Sequence, residues 1–156
     1  MTQRINVYQH SPKVLSLLIK LSAEAAKDLD PKIKELVVLR ASQINRCAYC
    51  IDMHTKDARA GGETEERIAL VAAFEEADNF FTEKERAALA LTEAVTMLTD
   101  GFVPDEVYER AAKHFDEKEL AQLIWTIAVI NTFNRLNVTA RTEAGSYTPG
   151  QFAGQH

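Results

Sequence analysis

Apolar residues recur at helical spacing along most of the chain, each set forming one face of an amphipathic helix. No segment resembles a convincing β-strand. The pattern predicts helices from Ser11-Pro12 to about Lys27 or Asp28, from Asp30-Pro31 to a break near Asn45-Arg46, over 48–60, from Thr64 to about Phe74, from Thr82 to about Leu98, from Pro104-Asp105 to about His114, and from Asp116 to about Leu136. We therefore predict an all-α protein of about six to seven helices.

Several of these helices carry local start and stop signals. Asp30 is suited to cap a helix, and Pro31 follows at the first position, where its missing N–H removes no hydrogen bond. The pair Gly61-Gly62 is expected to end the third predicted helix. Capping boxes, in which the cap and a carboxylate three residues later satisfy each other's backbone N–H, start two later helices: Thr82 with Glu85, and Asp116 with Glu119.

Both cysteines of the chain, Cys47 and Cys50, lie at the start of the third predicted helix, and His54 follows them. Residues three and four apart share a helix face, so these three side chains form one line, with the cysteine Cα atoms roughly 5–6 Å apart. That separation lies within disulfide range. The helix dipole favours a thiolate near the N-terminus, and His54, one turn after Cys50, can take its proton. The spacing indicates a redox dithiol with its own base.

Glu35 lies among apolar residues, beside Ile33 and the run 36–39. A helix that is apolar on more than one face is a buried one, so this carboxylate is expected to sit in a dry environment. Burial raises the pKa of a carboxyl group towards values useful for proton transfer. We therefore interpret Glu35 as a buried proton carrier; the alternative is an exposed residue paired with Arg40 or Lys32.

Glu35, eleven further residues and then Cys-x-x-Cys-x-x-x-His resemble the active-site signature of the AhpD-like alkylhydroperoxidases, within the carboxymuconolactone decarboxylase superfamily. The resemblance extends over residues 30–138 and includes Gly61-Gly62, 81–86 and 131–137. It implies a helical AhpD-like fold, a homo-oligomer (commonly a trimer or hexamer), reduction of alkyl hydroperoxides, and a dithiol reductant that is lipoyl-bearing or thioredoxin-like. Tyr49 departs from the pattern, because some relatives have a second histidine there, and a phenol is a poor proton relay near neutral pH.

The two sulfurs are expected to play different roles. His54 lies one turn from Cys50 but about two turns, roughly 10 Å, from Cys47. We therefore assign Cys50 as the thiolate that attacks peroxide, as the resemblance also implies, with Glu35 and His54 removing its proton. Cys47 then condenses with the resulting sulfenic acid to form a disulfide.

Four alternatives remain open from the sequence alone. The cysteines can be small packed residues of a non-enzymatic helical assembly, or they can join His54 and Glu35 in a zinc site. The dithiol can serve as a general disulfide reductase or a redox sensor without peroxidase activity. The superfamily's lactone decarboxylation is a further possibility, although that reaction needs no cysteine pair. We expect no bound metal and no cofactor.

Length and composition set broader limits. A chain of 156 residues predicts one domain, residues 1–156, and the net charge of −5 argues against a nucleic acid or an acidic membrane as partner. The first ten residues lack the apolar core of a signal peptide, so we expect a cytoplasmic protein. Other residues are expected to have structural places. We expect three histidines at the surface: His10, His114 and His156. Trp125 and Phe133 are expected in the core or a subunit interface, and Asn131, Asn134 and Arg135 at an interface or a helix end, whereas the turn-rich tail, 145–150, is expected to lie on a neighbour or to fray.

Overall fold

The computed structural model describes residues 2–152, and the described chain contains eight α-helices and one short 3₁₀ helix. These are α1 (Val7–His10), α2 (Pro12–Ala25), α3 (Pro31–Ile44), α4 (Ala48–Ala60), α5 (Glu65–Leu70), the 3₁₀ helix Val71–Ala73, α6 (Glu83–Thr96), α7 (Asp105–Ala112) and α8 (Glu117–Ala140). No strand occurs among these residues, so the all-α prediction is confirmed. Each predicted helix is present, and α1 is the one element that the sequence pattern did not predict.

The helix ends follow the predicted local chemistry. The Asp30 side chain accepts a hydrogen bond from the Lys32 backbone N–H at 2.8 Å and so caps α3. Both capping boxes form, at Thr82 with Glu85 and at Asp116 with Glu119. The last helix continues beyond its predicted end to Ala140, and Arg141 stops it by adopting a left-handed conformation with φ of 55°.

Helix α3 lies at the centre of the molecule, packed against α4, α6 and α8. Its apolar run is fully enclosed, since Leu36 and Leu39 are at most 1% exposed. One apolar cluster joins α3 to α6, α7 and α8, and a second joins it to α4, α5 and the segment before α6. The buried α3 that the sequence predicted therefore holds the other elements, including the cysteine helix α4, in place.

Some large apolar side chains remain outside this core. Trp125 on α8 is 57% exposed and therefore does not belong to the core of the chain, which was one of its two predicted places. Leu17 and Val14 on α2 are exposed as well. The predicted homo-oligomer stays a prediction. No helix of the described segment is long and apolar enough to cross a lipid bilayer.

The remaining histidines lie away from the cysteine helix along the chain. His10 is exposed and His114 is half-buried, whereas His156 lies outside the described residues. Phe133, predicted to lie in the core or an interface, is half-buried and packs against Val38, Ala41 and Ile130. The contact of Phe133 and Ile130 with Val38 and Ala41 places α8 beside the turn of α3 that follows Glu35.

Candidate functional site

Helices α3 and α4 bring Glu35 and His54 into contact. The Oε2 atom of Glu35 lies 3.3 Å from Nδ1 of His54, and their side chains are 14% and 9% exposed. The ammonium group of Lys34 binds the other carboxylate oxygen, Oε1, at 2.5 Å. Glu35 therefore does not pair with Arg40 or Lys32, and it is enclosed between a histidine and a lysine.

The pKa of Glu35 moves in the direction opposite to our expectation. Burial by itself raises the pKa of this carboxyl, but hydrogen bonds and charges from His54 and Lys34 outweigh burial and lower it. Glu35 is consequently an ionised acceptor at neutral pH and not a neutral acid. A carboxylate in this position can orient His54 and can stabilise a positive charge on the imidazole ring.

The two nitrogens of His54 have different surroundings. Nδ1 faces the Glu35 carboxylate, which favours a proton on that nitrogen because a carboxylate can only accept. Nε2 is buried, and no protein group of the described chain bonds to it. With Nδ1 protonated, Nε2 carries a free lone pair and can act as a base.

The cysteines are paired as a disulfide at the N-terminus of α4. Cys47 is the N-cap residue and Cys50 lies in the first turn, with their Cα atoms 5.3 Å apart. This position matches the predicted one, where the backbone N–H groups of a helix terminus favour a thiolate. Both residues are closed off from solvent, at 1% and 0% exposure. Because the two sulfurs are bonded to each other, they do not serve as zinc ligands in this structure.

Asn137 on α8 and Tyr8 on α1 complete the surroundings of Cys50, and sequence reasoning missed both of them. The Asn137 Nδ2 atom lies 3.5 Å from the Cys50 sulfur. Its Oδ1 atom accepts a hydrogen bond from the Tyr8 hydroxyl at 2.9 Å. Asn137 lies in the segment 131–137 that carried part of the family resemblance, so a signal for it existed. Tyr8 offered none, because its contact joins opposite ends of the chain.

Asp57 and Tyr147 form a second polar group beside Glu35 and His54. The Tyr147 hydroxyl donates to Asp57 Oδ1 at 2.8 Å, and Tyr147 is 6% exposed. Burial raises the pKa of the Asp57 carboxyl, and burial together with Asp57 raises that of the Tyr147 phenol. One ligand atom from each of Glu35, His54 and Asp57 lies within 4.8 Å of the others, the spacing of a set that can hold a metal. Both carboxylates of this set already have a partner: Lys34 binds Glu35, and Tyr147 donates a hydrogen bond to Asp57.

The tail after α8 folds back onto its own chain. The Lys56 ammonium donates to the carbonyl oxygens of Gly145 and Tyr147, at 3.2 and 3.0 Å. The Gly145 N–H donates to Asp52 at 3.1 Å. The described part of the tail thus lies on α4, where Tyr147 covers Asp57. It therefore packs on its own chain, which differs from the prediction of a tail that lies on a neighbour or frays.

A cavity of about 760 Å³ opens beside these groups, between α1, α2, α3, α4, α8 and the tail. Most of its wall is apolar, and includes Leu15, Ile19, Ala26, Val38, Ile130 and Phe133. Its polar lining includes Tyr8, Tyr49, His54, Asp57, Asn137 and Tyr147. The sulfurs do not line the cavity. It reaches instead Asn137, which touches Cys50, and Tyr49, which lies between the two cysteines.

The other asparagines of α8 serve a structural purpose. Asn134 is fully buried, donates to the Ser42 hydroxyl at 3.0 Å and accepts from Asn45 at 2.9 Å. Asn131 accepts from Asn45 and also from Arg135. These hydrogen bonds join α8 to the end of α3 within one chain. The polar residues expected at an interface or a helix end therefore stabilise the packing of α8 on the last turn of α3, just before α4.

Comparison with known proteins decides the family. The family model for the carboxymuconolactone decarboxylase family matches residues 12–94, more than half of the chain. This chain belongs to the carboxymuconolactone decarboxylase family. The uncharacterized protein YdfG of Bacillus subtilis (strain 168) is 38% identical to this chain over 147 residues, which cover 94% of this chain and 99% of YdfG.

Solved structures place this family member among the AhpD-like proteins. The protein ATU0492 of Agrobacterium tumefaciens, described as an AhpD candidate for antioxidant defence, is 34% identical, has a TM-score of 0.89, and is matched over 94% of this chain and 100% of its own. The debrominase Bmp8, at 21% identity and a TM-score of 0.76 over 88% of this chain and 74% of its own, shares the fold. The AhpD-like fold is therefore confirmed.

Proposed function

We propose that this protein reduces organic hydroperoxides through a dithiol–disulfide cycle of Cys47 and Cys50. The observation that carries this proposal is the contact of Glu35 on α3 with His54 on α4, the helix whose N-terminus carries the cysteine pair. A cysteine pair that served packing alone would have no need of a buried, carboxylate-oriented imidazole one turn away.

The reaction begins with removal of the Cys50 proton by Nε2 of His54, while Glu35 stabilises the resulting imidazolium. The Cys50 thiolate attacks one peroxide oxygen, the O–O bond breaks, and the other oxygen leaves as an alkoxide that takes the proton from His54 to form the alcohol. The sulfur is now a sulfenic acid. Cys47 attacks it, the disulfide forms, and the sulfenic oxygen leaves as water with the Cys47 proton.

The disulfide is reopened by two electrons and two protons from a dithiol partner. Both sulfurs are buried, so the reducing thiol must reach them on a side chain or prosthetic group that projects from the surface of its carrier protein. A slender lipoyl arm, or the exposed active-site cysteine of a thioredoxin-like protein, is the class of reductant we propose. Since the cycle needs a reducing compartment, we propose a cytoplasmic location.

The cavity supports an organic substrate in preference to hydrogen peroxide. A space of about 760 Å³ with a largely apolar wall is in the size range of sites for drug-sized ligands. We propose that an alkyl or aryl group binds there, with the peroxide at the polar end near Tyr49, His54 and Asn137, the last of which touches the Cys50 sulfur. We therefore expect kcat/KM for cumene hydroperoxide to exceed that for hydrogen peroxide.

Mass spectrometry of the reduced protein after one equivalent of cumene hydroperoxide tests the proposal. The expected product has lost two hydrogens, localised to a peptide that links Cys47 and Cys50. The Cys47→Ser variant should stop at a sulfenic acid on Cys50, and Cys50→Ser should not consume peroxide. Turnover by Cys50→Ser would refute the assignment. If the reduced protein exchanges with a protein disulfide but ignores peroxide, it is a general thiol–disulfide oxidoreductase.

A further inference from the structure

We propose that Asn137 stabilises the Cys50 thiolate by donating a hydrogen bond to its sulfur, and that Tyr8 holds the Asn137 amide in the orientation this requires. The inference rests on the proposed role of Cys50 as the reacting sulfur. It assigns a function to a buried amide and to the short helix α1, neither of which takes part in the steps described above.

The orientation of the Asn137 amide follows from two independent hydrogen bonds. One of its terminal atoms lies 3.0 Å from the backbone carbonyl oxygen of Phe133, which can only accept, so this atom must be the NH₂ nitrogen. The other is then the oxygen, which accepts from the Tyr8 hydroxyl. The second N–H of the amide is left for the Cys50 sulfur, 3.5 Å away.

This contact distinguishes the two cysteines. Asn137 and Cys50 are 3% and 0% exposed, so the N–H donor and the sulfur meet in a place of low dielectric. A hydrogen bond to an ionised acceptor there is stronger than one to a neutral thiol, and it lowers the pKa of the acceptor. Among the described residues no side-chain donor contacts the Cys47 sulfur, so the structure favours charge on Cys50 by a route independent of His54.

Other titratable groups lie on the elements around Cys50, and none of them replaces this donor. They include Glu35 and Lys34 on α3, Tyr49, Asp52, His54 and Asp57 on α4, Tyr8 on α1, and Tyr147 in the tail. Tyr8 itself keeps its proton across the working range, because burial raises the pKa of its phenol to about 12. It therefore remains a donor to Asn137 in both states of the sulfur.

The test is the pKa of Cys50 in the Cys47→Ser background, where it is the single thiol, read from the ultraviolet absorbance of the thiolate. Replacing the amide by an apolar side chain of similar size, Asn137→Leu, should raise this pKa by roughly one unit, because a hydrogen bond to a charged group is lost. Tyr8→Phe should raise it by less. The matched control is Asn134→Leu, one turn earlier on α8, which is equally buried but bonds to Ser42 and Asn45.

The outcomes separate this inference from a packing effect and from the proposed function. A pKa that rises in Asn137→Leu and stays constant in Asn134→Leu supports the inference, even if the wild-type protein proves not to consume peroxide. An unchanged pKa in Asn137→Leu overturns it, whatever the peroxidase activity. If Asn137→Leu does not fold, the Tyr8→Phe variant is the test, because it removes a single hydroxyl and disturbs the packing little. A Cys50 pKa that stays constant in Tyr8→Phe overturns the inference.

Discussion

Glu35 on α3 and His54 on α4 form a buried pair, with a carboxylate oxygen 3.3 Å from Nδ1 of the ring. The pair lies across the contact between two helices that pack closely against each other. It leaves the second ring nitrogen, Nε2, without a partner in the described structure. The site therefore has an oriented base whose orientation depends on one ionised carboxylate.

The Glu35→Gln variant tests whether that carboxylate supports catalysis. It preserves the shape of the side chain but removes the negative charge that stabilises the imidazolium, so we expect kcat/KM for cumene hydroperoxide to fall on the order of 10²-fold. Steady-state peroxide consumption with a dithiol reductant measures the loss. Glu24→Gln is the matched control, because the Glu24 side chain is 72% exposed and pairs with Lys27 at the surface. Equal activity of the two variants would contradict the proposed role.

The stability of the protein should respond to pH with opposite signs at Glu35 and Asp57. The pKa of Glu35 is lowered from 4.5 by folding, so below about pH 4.5 the unfolded chain binds the proton first and stability is lost as the pH falls. The pKa of Asp57 is raised from 3.8 by burial, so the folded chain binds that proton first, and stability is lost as the pH rises above about 3.8.

Urea unfolding of three proteins between pH 3 and pH 7 (roughly the range of these titrations) separates the two effects. Relative to wild type, Glu35→Gln should flatten the fall of the free energy of unfolding on acidification. Asp57→Asn should make the same fall steeper, because it removes a group that favours the folded state at low pH. Shifts of the same sign in both variants would be inconsistent with the assigned environments of the two carboxyls.

The tail should be held on α4 chiefly by the Lys56 ammonium and the Tyr147 hydroxyl. Lys56→Met removes the donor to two tail carbonyls, and we expect faster amide hydrogen exchange at Gly145 and the residues after it. Tyr147→Phe removes the hydrogen bond to Asp57 and should lower the free energy of unfolding by about 1 kcal/mol. Unchanged exchange in Lys56→Met would show that other contacts hold the tail.

We propose that the protein forms the trimer or hexamer that its resemblance to the AhpD-like proteins implies, and that exposed apolar side chains form the interface. Trp125 is 57% exposed on α8, and Leu17 is 61% exposed on α2, which packs against α8. Contiguous exposed apolar side chains mark interaction surfaces. Light scattering after size exclusion measures the mass of wild type and of Trp125→Glu, which we expect to dissociate. Thr132→Glu, at an exposed polar position of α8, is the control. A monomeric wild-type protein would contradict this prediction.

Much of the helical framework was predictable because its causes are local. Asp30 and Thr82 bond to backbone groups two and three residues away, and such contacts form wherever the segment becomes helical. The spacing of Cys47, Cys50 and His54 likewise defines their arrangement once α4 exists. For this reason the sequence alone was sufficient to predict the all-α fold, the cysteine pair at a helix start, and the candidate base.

The tertiary structure decided the features that depend on distant parts of the chain. The pKa of Glu35 shifts downward, against the direction that burial alone predicts, because His54 arrives from another helix and Lys34 turns toward the same carboxylate. Tyr8 bonds to a residue 129 positions away, and Tyr147 to one 90 positions away. Spacing along a sequence describes which side chains share an element; which of them meet across elements depends on how the helices pack, and that packing determines the environment of the sulfurs.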